Sequence, residues 1–74
     1  MPEVTMVPVE STNLAAAGYD EETNELYILF RTGQKYKYTV VKRQVYLDLL
    51  DAPSVGKYFM ANIRPVYAYQ RVTQ

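Results

Sequence analysis

Tyrosine and lysine alternate in the segment KYKYTV at residues 35–40, and this pattern is the first in the chain that could do chemistry. Aromatic rings interleaved with basic side chains can bind single-stranded nucleic acid, because the rings stack on bases and the cations contact phosphates. The same alternation is typical of an ordinary half-buried strand, with tyrosines in the core and lysines in solvent. The two interpretations differ in the face of the strand that the tyrosines take.

The composition excludes several kinds of active site. The 74 residues contain no cysteine and no histidine, so the chain lacks the Cys–His, Ser–His and zinc–histidine sets used in catalysis. Asp20, Glu22 and Asn24 have the spacing of a calcium loop. That loop also needs a glycine and a distal glutamate, where this chain has Glu25 and Arg31. We therefore predict that the protein is not an enzyme and binds no metal and no cofactor.

Two helix starts are weak candidates for anion binding, because free backbone N–H groups there favour negative charge. One is formed by Ser54 and Gly56, where plain capping by Ser54 is the favoured interpretation. At the other, Lys42 and Arg43 oppose the helix dipole, and each misplaced charge costs about 0.3–1 kcal/mol. An anion held between Lys42 and Arg43 would explain their position.

The length is sufficient for one small domain, since a chain of this size buries only about 60% of its unfolded surface. The first ten residues lack the basic and apolar regions of a signal peptide. Every apolar run is too short for a transmembrane helix. We expect a cytoplasmic protein with no membrane partner.

The net charge of zero conceals an uneven distribution. Residues 1–26 carry six acidic and no basic side chains, whereas residues 27–74 carry eight basic and two acidic ones. Such asymmetry indicates either one basic face or, as we favour, halves of the sequence that interleave in space and mix their charges.

The hydrophobic pattern predicts an α+β domain with a three-stranded antiparallel meander, two helices packed on one face, and then a final strand. The strands, taken from alternating and β-branched segments, are predicted at residues 13–20, 25–31, 35–41 and 66–72.

Apolar positions at helical spacing after Val41 predict a first helix that Pro53 terminates, and Pro65 closes a second helix capped by Ser54. We assign residues 9–72 to a single domain. Residues 1–8 form an N-terminal extension, with an extra strand there as one alternative.

The hairpin loops predict which side chains share a face. A three-residue loop with a left-handed Gly33 pairs Ile28 with Tyr36 and Leu26 with Tyr38, which places these apolar side chains together. A slip of one residue would invert every side chain. The tyrosines of KYKYTV are therefore predicted to lie under the helices.

The preceding hairpin, with a four-residue loop at 21–24, places Ala15, Ala17 and Tyr19 on the same face, with Tyr19 opposite Leu26. The predicted core residues on this face and on the apolar sides of the helices are Tyr19, Leu26, Ile28, Tyr36, Tyr38, Val45, Leu49, Phe59 and Ile63.

The opposite face of the sheet is the predicted binding surface. Tyr27, Arg31, Lys35 and Lys37 lie on it, and the last strand adds its tyrosines and arginine if Val66 and its alternating neighbours point inward. The candidate nucleic-acid contacts, including two basic residues of the helical region, are Tyr27, Arg31, Lys35, Lys37, Lys57, Arg64, Tyr67, Tyr69 and Arg71.

Several short motifs spread over residues 9–70 together resemble the KTSC domain. They include Gly18-Tyr19-Asp20, Tyr36-x-Tyr38, Val45-Tyr46, Ala52-x-Ser54-x-Gly56-x-Tyr58-Phe59 and Ile63-Arg64. The resemblance implies a domain found at the C-terminus of some lysyl-tRNA synthetases and as short stand-alone proteins of bacteria and phages, for which RNA binding has been suggested. Lys42 departs from the pattern, which usually has Pro there, at the start of the first helix.

Two functions of different classes follow. The first is a small non-enzymatic accessory module that binds RNA or other nucleic acid weakly through the basic, tyrosine-bearing sheet face. The alternative is a protein-interaction, self-association or assembly module, in a bacterium or a phage, that uses the same face or an edge strand. Added salt should weaken nucleic-acid binding but not an apolar protein interface.

Overall fold

The computed structural model of the protein describes residues 4–72. Its elements follow one another as four strands, two helices and a last strand. The strands are β1 (Val7–Pro8), β2 (Leu14–Asp20), β3 (Glu25–Phe30), β4 (Lys35–Tyr38) and β5 (Tyr69–Val72), and the helices are α1 (Arg43–Asp51) and α2 (Val55–Asn62).

Within residues 4–72, the strands form one antiparallel sheet whose spatial order follows the chain, β1-β2-β3-β4-β5. The predicted α+β class is confirmed. The predicted strand arrangement needs correction, because β1 pairs with Ala16 and Ala17 and so places four strands before the helices. β1 falls in the predicted N-terminal extension, of which residues 1–3 lie outside the described residues.

The predicted register between β3 and β4 is confirmed. Ile28 lies opposite Tyr36, and Leu26 lies opposite Tyr38. Gly33 closes this hairpin with a φ of 97°, a conformation that only glycine adopts without steric cost. Turn chemistry and hydrophobic alternation therefore select the same pairing.

Near the turn, β2 pairs with β3 as predicted, but the register shifts between Leu14 and Ala16. This β-bulge places Leu14 opposite Phe30 and buries it in the core. Ala15 is only half-buried. The prediction that Ala15 shares the core face is wrong, because one inserted residue reverses the alternation of the strand beyond it.

The helix boundaries follow local chemistry. α1 begins after Lys42, whose backbone is extended and whose side chain makes no capping hydrogen bond. The departure from the family pattern therefore falls at the N-cap of α1. α2 begins after Ser54, whose Oγ accepts a hydrogen bond from the backbone N–H of Lys57 at 3.3 Å.

Both helices contribute to one core on one face of the sheet. The fully buried cluster is Leu14, Ala17, Leu26, Ile28, Tyr38, Val41, Leu49, Val55, Phe59 and Ile63. Of the other predicted core residues, Tyr19, Tyr36 and Val45 are partly buried and pack against this cluster. Neither helix of residues 4–72 combines the length and apolar character that crossing a membrane requires.

The link between β4 and α1 is held at both ends. The N–H of Thr39 donates to the Ala68 carbonyl at 3.0 Å, and the N–H of Val41 donates to the Asn24 carbonyl at 2.9 Å. Between them, Val40 is 81% exposed and has a φ of 55°. A left-handed conformation costs an L-residue about 1–2 kcal/mol, so the flanking hydrogen bonds hold Val40 in strain.

The segment before β1 lies against the outer face of the sheet, the face away from the helices, at Gly18. A Cβ built on Gly18 would lie 2.7 Å from the Thr5 carbonyl oxygen and 2.8 Å from the Met6 sulfur. Only a residue without a side chain allows this approach.

Gly18→Ala should lower the free energy of unfolding by about 1–3 kcal/mol, because overpacking forces the backbone of residues 4–6 away from β2. Urea unfolding followed by circular dichroism measures the change. In a chain that lacks residues 1–6, the same substitution should be close to neutral. An equal loss in the truncated chain would show that the clash lies elsewhere.

Val40→Gly should raise the free energy of unfolding by about 0.5–1 kcal/mol, since relief of the left-handed strain exceeds the added chain entropy of glycine. Val66→Gly is the matched control, because Val66 is also exposed, at 64%, and has no positive φ. We expect the control to lose stability in the same urea experiment. A loss at both positions would mean that Val40 is not strained.

Candidate nucleic-acid interface

The outer face of the sheet carries Tyr27, Lys35 and Lys37, but part of its positive charge is neutralised. Lys37 Nζ lies 3.4 Å from Glu25 Oε2, and the Tyr27 hydroxyl donates to Glu25 Oε1 at 3.4 Å. Burial and the Glu25 carboxylate together raise the pKa of Tyr27. A carboxylate beside the ring repels phosphate, so this face is a poor stacking surface for nucleic acid.

The register of β5 places its tyrosine and arginine on the other side of the sheet. Tyr38 lies opposite Tyr69, and Tyr36 lies opposite Arg71. Because directly opposite residues share a face, Tyr69 and Arg71 lie on the helix side, while Val72 is on the outer face. The condition that Val66 and its alternating neighbours point inward is not met, since Val66 is exposed and Val72 lies on the outer face. The outer placement of Tyr67, Tyr69 and Arg71 is therefore wrong.

The physical reason lies just before β5. Tyr67 is half-buried and packs against the core, whereas Val66 is 64% exposed. The larger ring of Tyr67 removes more apolar area from water than a valine would. From Tyr69, the first residue of β5, alternation along the strand carries Arg71 to the same side.

Tyr69 completes a continuous group of aromatic rings. Its ring stacks on Tyr36 with centroids 5.4 Å apart and planes 6° from parallel, and it lies 5.6 Å from the ring of Tyr38. Phe59 of α2 meets Tyr38 edge to face at 5.6 Å, and Phe30 contacts both Phe59 and Tyr36. Tyr69 as a residue is 55% exposed, so it is accessible to a ligand while it stacks on Tyr36.

A cleft of about 370 Å³ opens beside these rings, and we call it the aromatic cleft. The five aromatic residues line it together with Met60 of α2. Its polar side chains, which are neutral apart from one arginine, are Asn13, Thr32, Gln34 and Arg64. An apolar cavity with a few polar groups is the usual form of a ligand site.

Arg64 gives the aromatic cleft its charge. Among the described residues that line it, Arg64 is the only charged one, and none is a carboxylate. Burial raises the pKa of Tyr38 to about 12; the neighbouring Tyr69 adds to this rise and Arg64 opposes it. Arg64 therefore acts electrostatically on the buried end of the cleft.

Two other candidates lie near the aromatic cleft. Arg31 Nε donates to the Ser11 carbonyl at 2.6 Å and so holds the loop before β2. Lys57 lines a shallower depression that shares Asn13, Gly56 and Met60 with the cleft.

At the start of α1, where an anion contact was predicted, Arg43 pairs with a carboxylate of the protein itself. Arg43 Nε lies 3.2 Å from Glu21 Oε1, and both side chains are largely exposed. This ion pair offsets the unfavourable position of Arg43 in the helix dipole without an anion. For Ser54, capping accounts for the hydroxyl, as the favoured interpretation held.

Comparison with known proteins agrees with this geometry. The family model of the KTSC domain matches residues 10–72. The chain belongs to the KTSC family. Its resemblance to the family at the level of short motifs is thereby confirmed.

Relatives of this KTSC domain occur in distant bacteria. A protein of Stutzerimonas stutzeri strain A1501 is 36% identical over 67 residues, which cover 89% of this chain and 94% of the relative. A protein of Tsukamurella paurometabola is 40% identical over 60 residues, which cover 81% and 90% of the two chains. The crystal structure of a KTSC domain protein from Yersinia pestis matches this chain with a TM-score of 0.91 at 25% sequence identity. The match covers 96% of this chain and 100% of the Yersinia pestis chain.

The aromatic cleft was not predicted from the sequence, although Tyr36, Tyr38, Arg64 and Tyr69 were all singled out. Tyr36 and Tyr38, the Tyr-x-Tyr motif of this KTSC domain, were placed in the core, and Tyr69 was placed on the opposite face. One signal was available: Arg64 lies two residues after the end of α2, next to the core position Ile63.

Tyr38→Phe should reduce the loss of stability at alkaline pH. The pKa of Tyr38 is about 12 in the folded protein and 10.0 ordinarily, so its contribution to stability is complete below pH 10 and is lost as the pH rises toward 12. Urea unfolding across this range should show a shallower decline for the variant than for the wild type. Equal declines would contradict the assignment, because the remaining tyrosines titrate in both proteins.

Proposed function

We propose that this KTSC domain is a small non-enzymatic module that binds single-stranded RNA, or another single-stranded nucleic acid, weakly. The site is the aromatic cleft with the exposed ring of Tyr69, rather than the outer face of the sheet. Single-stranded nucleic acid is held by rings that stack on bases and by cations that contact phosphates. Tyr69 and Arg64 supply one of each.

The exposed, stacked ring of Tyr69 is the observation that carries the proposal. Tyr36 holds this ring in a fixed orientation, with planes 6° from parallel. Because the Tyr69 side chain is already held in place, its ordering costs less conformational entropy when a base stacks on it. The arrangement therefore favours a flat ligand over an irregular one.

The charges on the helix side point to the same class of ligand. Arg71 lies opposite Tyr36 on this side, and Lys57 lines the adjoining depression together with Glu10. On the outer face, by contrast, Glu25 neutralises Lys37. The outer face keeps Lys35, so the helix side is favoured because its cations lie beside an exposed aromatic ring; few cations are present, and the affinity should be modest.

The family adds support by association. Domains of this family are found at the C-terminus of some lysyl-tRNA synthetases, enzymes whose substrate is RNA. An association of this kind raises the plausibility of RNA binding without supplying a mechanism.

A protein-interaction or assembly module, in a bacterium or a phage, is the second candidate. Val40 and Val66 are exposed apolar side chains, at 81% and 64%. β5 is an edge strand of the sheet among the described residues, so its outer hydrogen-bonding groups are open to another chain. These features suit a protein partner or self-association.

Tyr69→Leu and Arg64→Gln should each weaken the binding of a fluorescein-labelled single-stranded RNA of about eight nucleotides. Stacking on an aromatic residue is worth about 1–3 kcal/mol, so the first substitution should cost about 5- to 160-fold in affinity. Loss of the charged contact of Arg64 should cost about tenfold. Fluorescence anisotropy at about 50 mM salt measures both.

Lys35→Gln is the matched control, because it removes the same charge from the outer face. We expect the RNA affinity of this variant to stay within about twofold of the wild type, because salt screens the effect of a charge that lies far from the ligand. If Lys35→Gln weakened RNA affinity as much as Arg64→Gln does, the RNA would bind on the outer face or bind by charge alone. If no RNA binds at all, the proposal fails and the protein-interaction candidate takes its place.

A further inference from the structure

We infer that the aromatic cleft is a single-nucleotide site, which a free nucleoside monophosphate is sufficient to fill. The inference rests on the proposed function and adds to it the size and chemical class of the ligand. A nucleoside monophosphate combines one flat base with one phosphate group, and the cleft presents one aromatic surface and one arginine.

The size of the cleft favours a ligand of this class. Its volume of about 370 Å³ is near the lower end of the range of about 300–1,000 Å³ for small-molecule sites. Surfaces that bind an extended strand are grooves that track several nucleotides. Here Met60 and Phe59 of α2 line the cleft together with Thr32 and Gln34 of the β3–β4 hairpin, so a helix and a hairpin both confine it.

The apolar part of the cleft suits a base. Tyr38 is only 2% exposed, so a ligand meets a small part of its ring at the base of the cleft. Phe30 and Tyr69 add aromatic surface, whereas Phe59 is also only 2% exposed and adds little. The thioether of Met60 makes favourable contacts with aromatic rings. Burial of a planar base against this lining removes apolar surface from water and so contributes favourable binding free energy.

The polar part of the cleft suits one phosphate and the edge of one base. Arg64 is positive and no carboxylate among the described lining residues opposes it, so the site complements a single anionic group. Asn13 and Gln34 carry amides, which both donate and accept hydrogen bonds and match the donor and acceptor pair of adenine. The Oε1 atom of Gln34 accepts from the Tyr36 hydroxyl at 3.4 Å, which leaves its NH₂ group for a ligand.

The affinity should therefore depend little on the length of the nucleic acid. Each phosphate contact to a single strand contributes about −0.7 to the slope of log K against log salt. A site with one phosphate contact should show a slope of about that size for an oligoadenylate, whatever its length. A surface that binds several nucleotides would give a steeper slope for the oligoadenylate.

Titration of the ¹⁵N-labelled full chain with AMP, adenosine, inorganic phosphate and an oligoadenylate of about eight nucleotides tests the inference by NMR. AMP should shift the amides of β4, β5 and the end of α2, with a Kd within about threefold of that of the oligoadenylate. Adenosine should bind about tenfold more weakly, because the charged contact is lost. Inorganic phosphate should produce no saturable shift at AMP-saturating concentrations.

The outcomes separate the two proposals. If the oligoadenylate binds but AMP does not, the single-nucleotide inference is overturned while the proposed function stands. If neither binds, both fail. Inorganic phosphate that binds as well as AMP would also overturn the inference, since the cleft would then be an anion site without base recognition.

Variants assign the two parts of the ligand. Arg64→Gln should weaken AMP about tenfold and leave adenosine nearly unchanged, because adenosine has no phosphate. Tyr69→Leu should weaken both about equally, whereas Tyr69→Phe should retain both because the ring remains. Lys35→Gln is the charge-matched control and should change neither. An equal loss of AMP and adenosine with Arg64→Gln would overturn the assignment of the phosphate to Arg64.

Discussion

The ring of Tyr38 joins the sheet to α2, and much of the structure follows from its burial. It is 2% exposed, meets Phe59 edge to face and lies opposite Leu26 in the sheet. A buried side chain at this position fixes which face of β4 is inward, because a shift of one residue would bring the lysines under the helix. The burial of Lys35 or Lys37 would cost several kcal/mol each, so the alternative register is excluded.

The position of Tyr38 also determines what β5 can do. Tyr69 lies opposite Tyr38 and stacks on Tyr36, so the last strand places its ring on an existing aromatic surface. Cross-strand aromatic pairs of this kind contribute up to about 1 kcal/mol each. Because β5 is at the edge of the described sheet, one of its rings is held by its neighbours and still reaches solvent. A fixed and exposed ring is the combination that a stacking site needs.

Local signals in the sequence were sufficient for the central part of the fold. The register of β3 and β4 follows from alternation and from Gly33 at the one turn position with a positive φ that glycine favours. The bulge in β2 could not be predicted, because Ala15, Ala16 and Ala17 are alike and carry no alternating signal. In these segments, the accuracy of a prediction depends on how different the two faces of a strand are.

The candidate site could be predicted only in its components. In the segment VYAYQRV, both alternating sets contain apolar side chains, so the sequence alone does not say which set is inward. The packing of Tyr67 against the core decides it, and that contact depends on where α2 ends. A cleft between α2 and β5 is a product of tertiary packing, and no spacing within one segment encodes it.

The uneven charge of the chain bears on the same site. The acidic N-terminal part and the basic C-terminal part do mix in space, since Glu25 pairs with Lys37 and Glu21 pairs with Arg43. Both ion pairs involve residues of the β2–β3 turn or the start of β3. Arg64 follows α2, and none of the described residues that line its cleft is a carboxylate. Charge mixing therefore neutralises Lys37 on the outer face, which keeps the charge of Lys35, and leaves Arg64 on the helix side beside the exposed Tyr69.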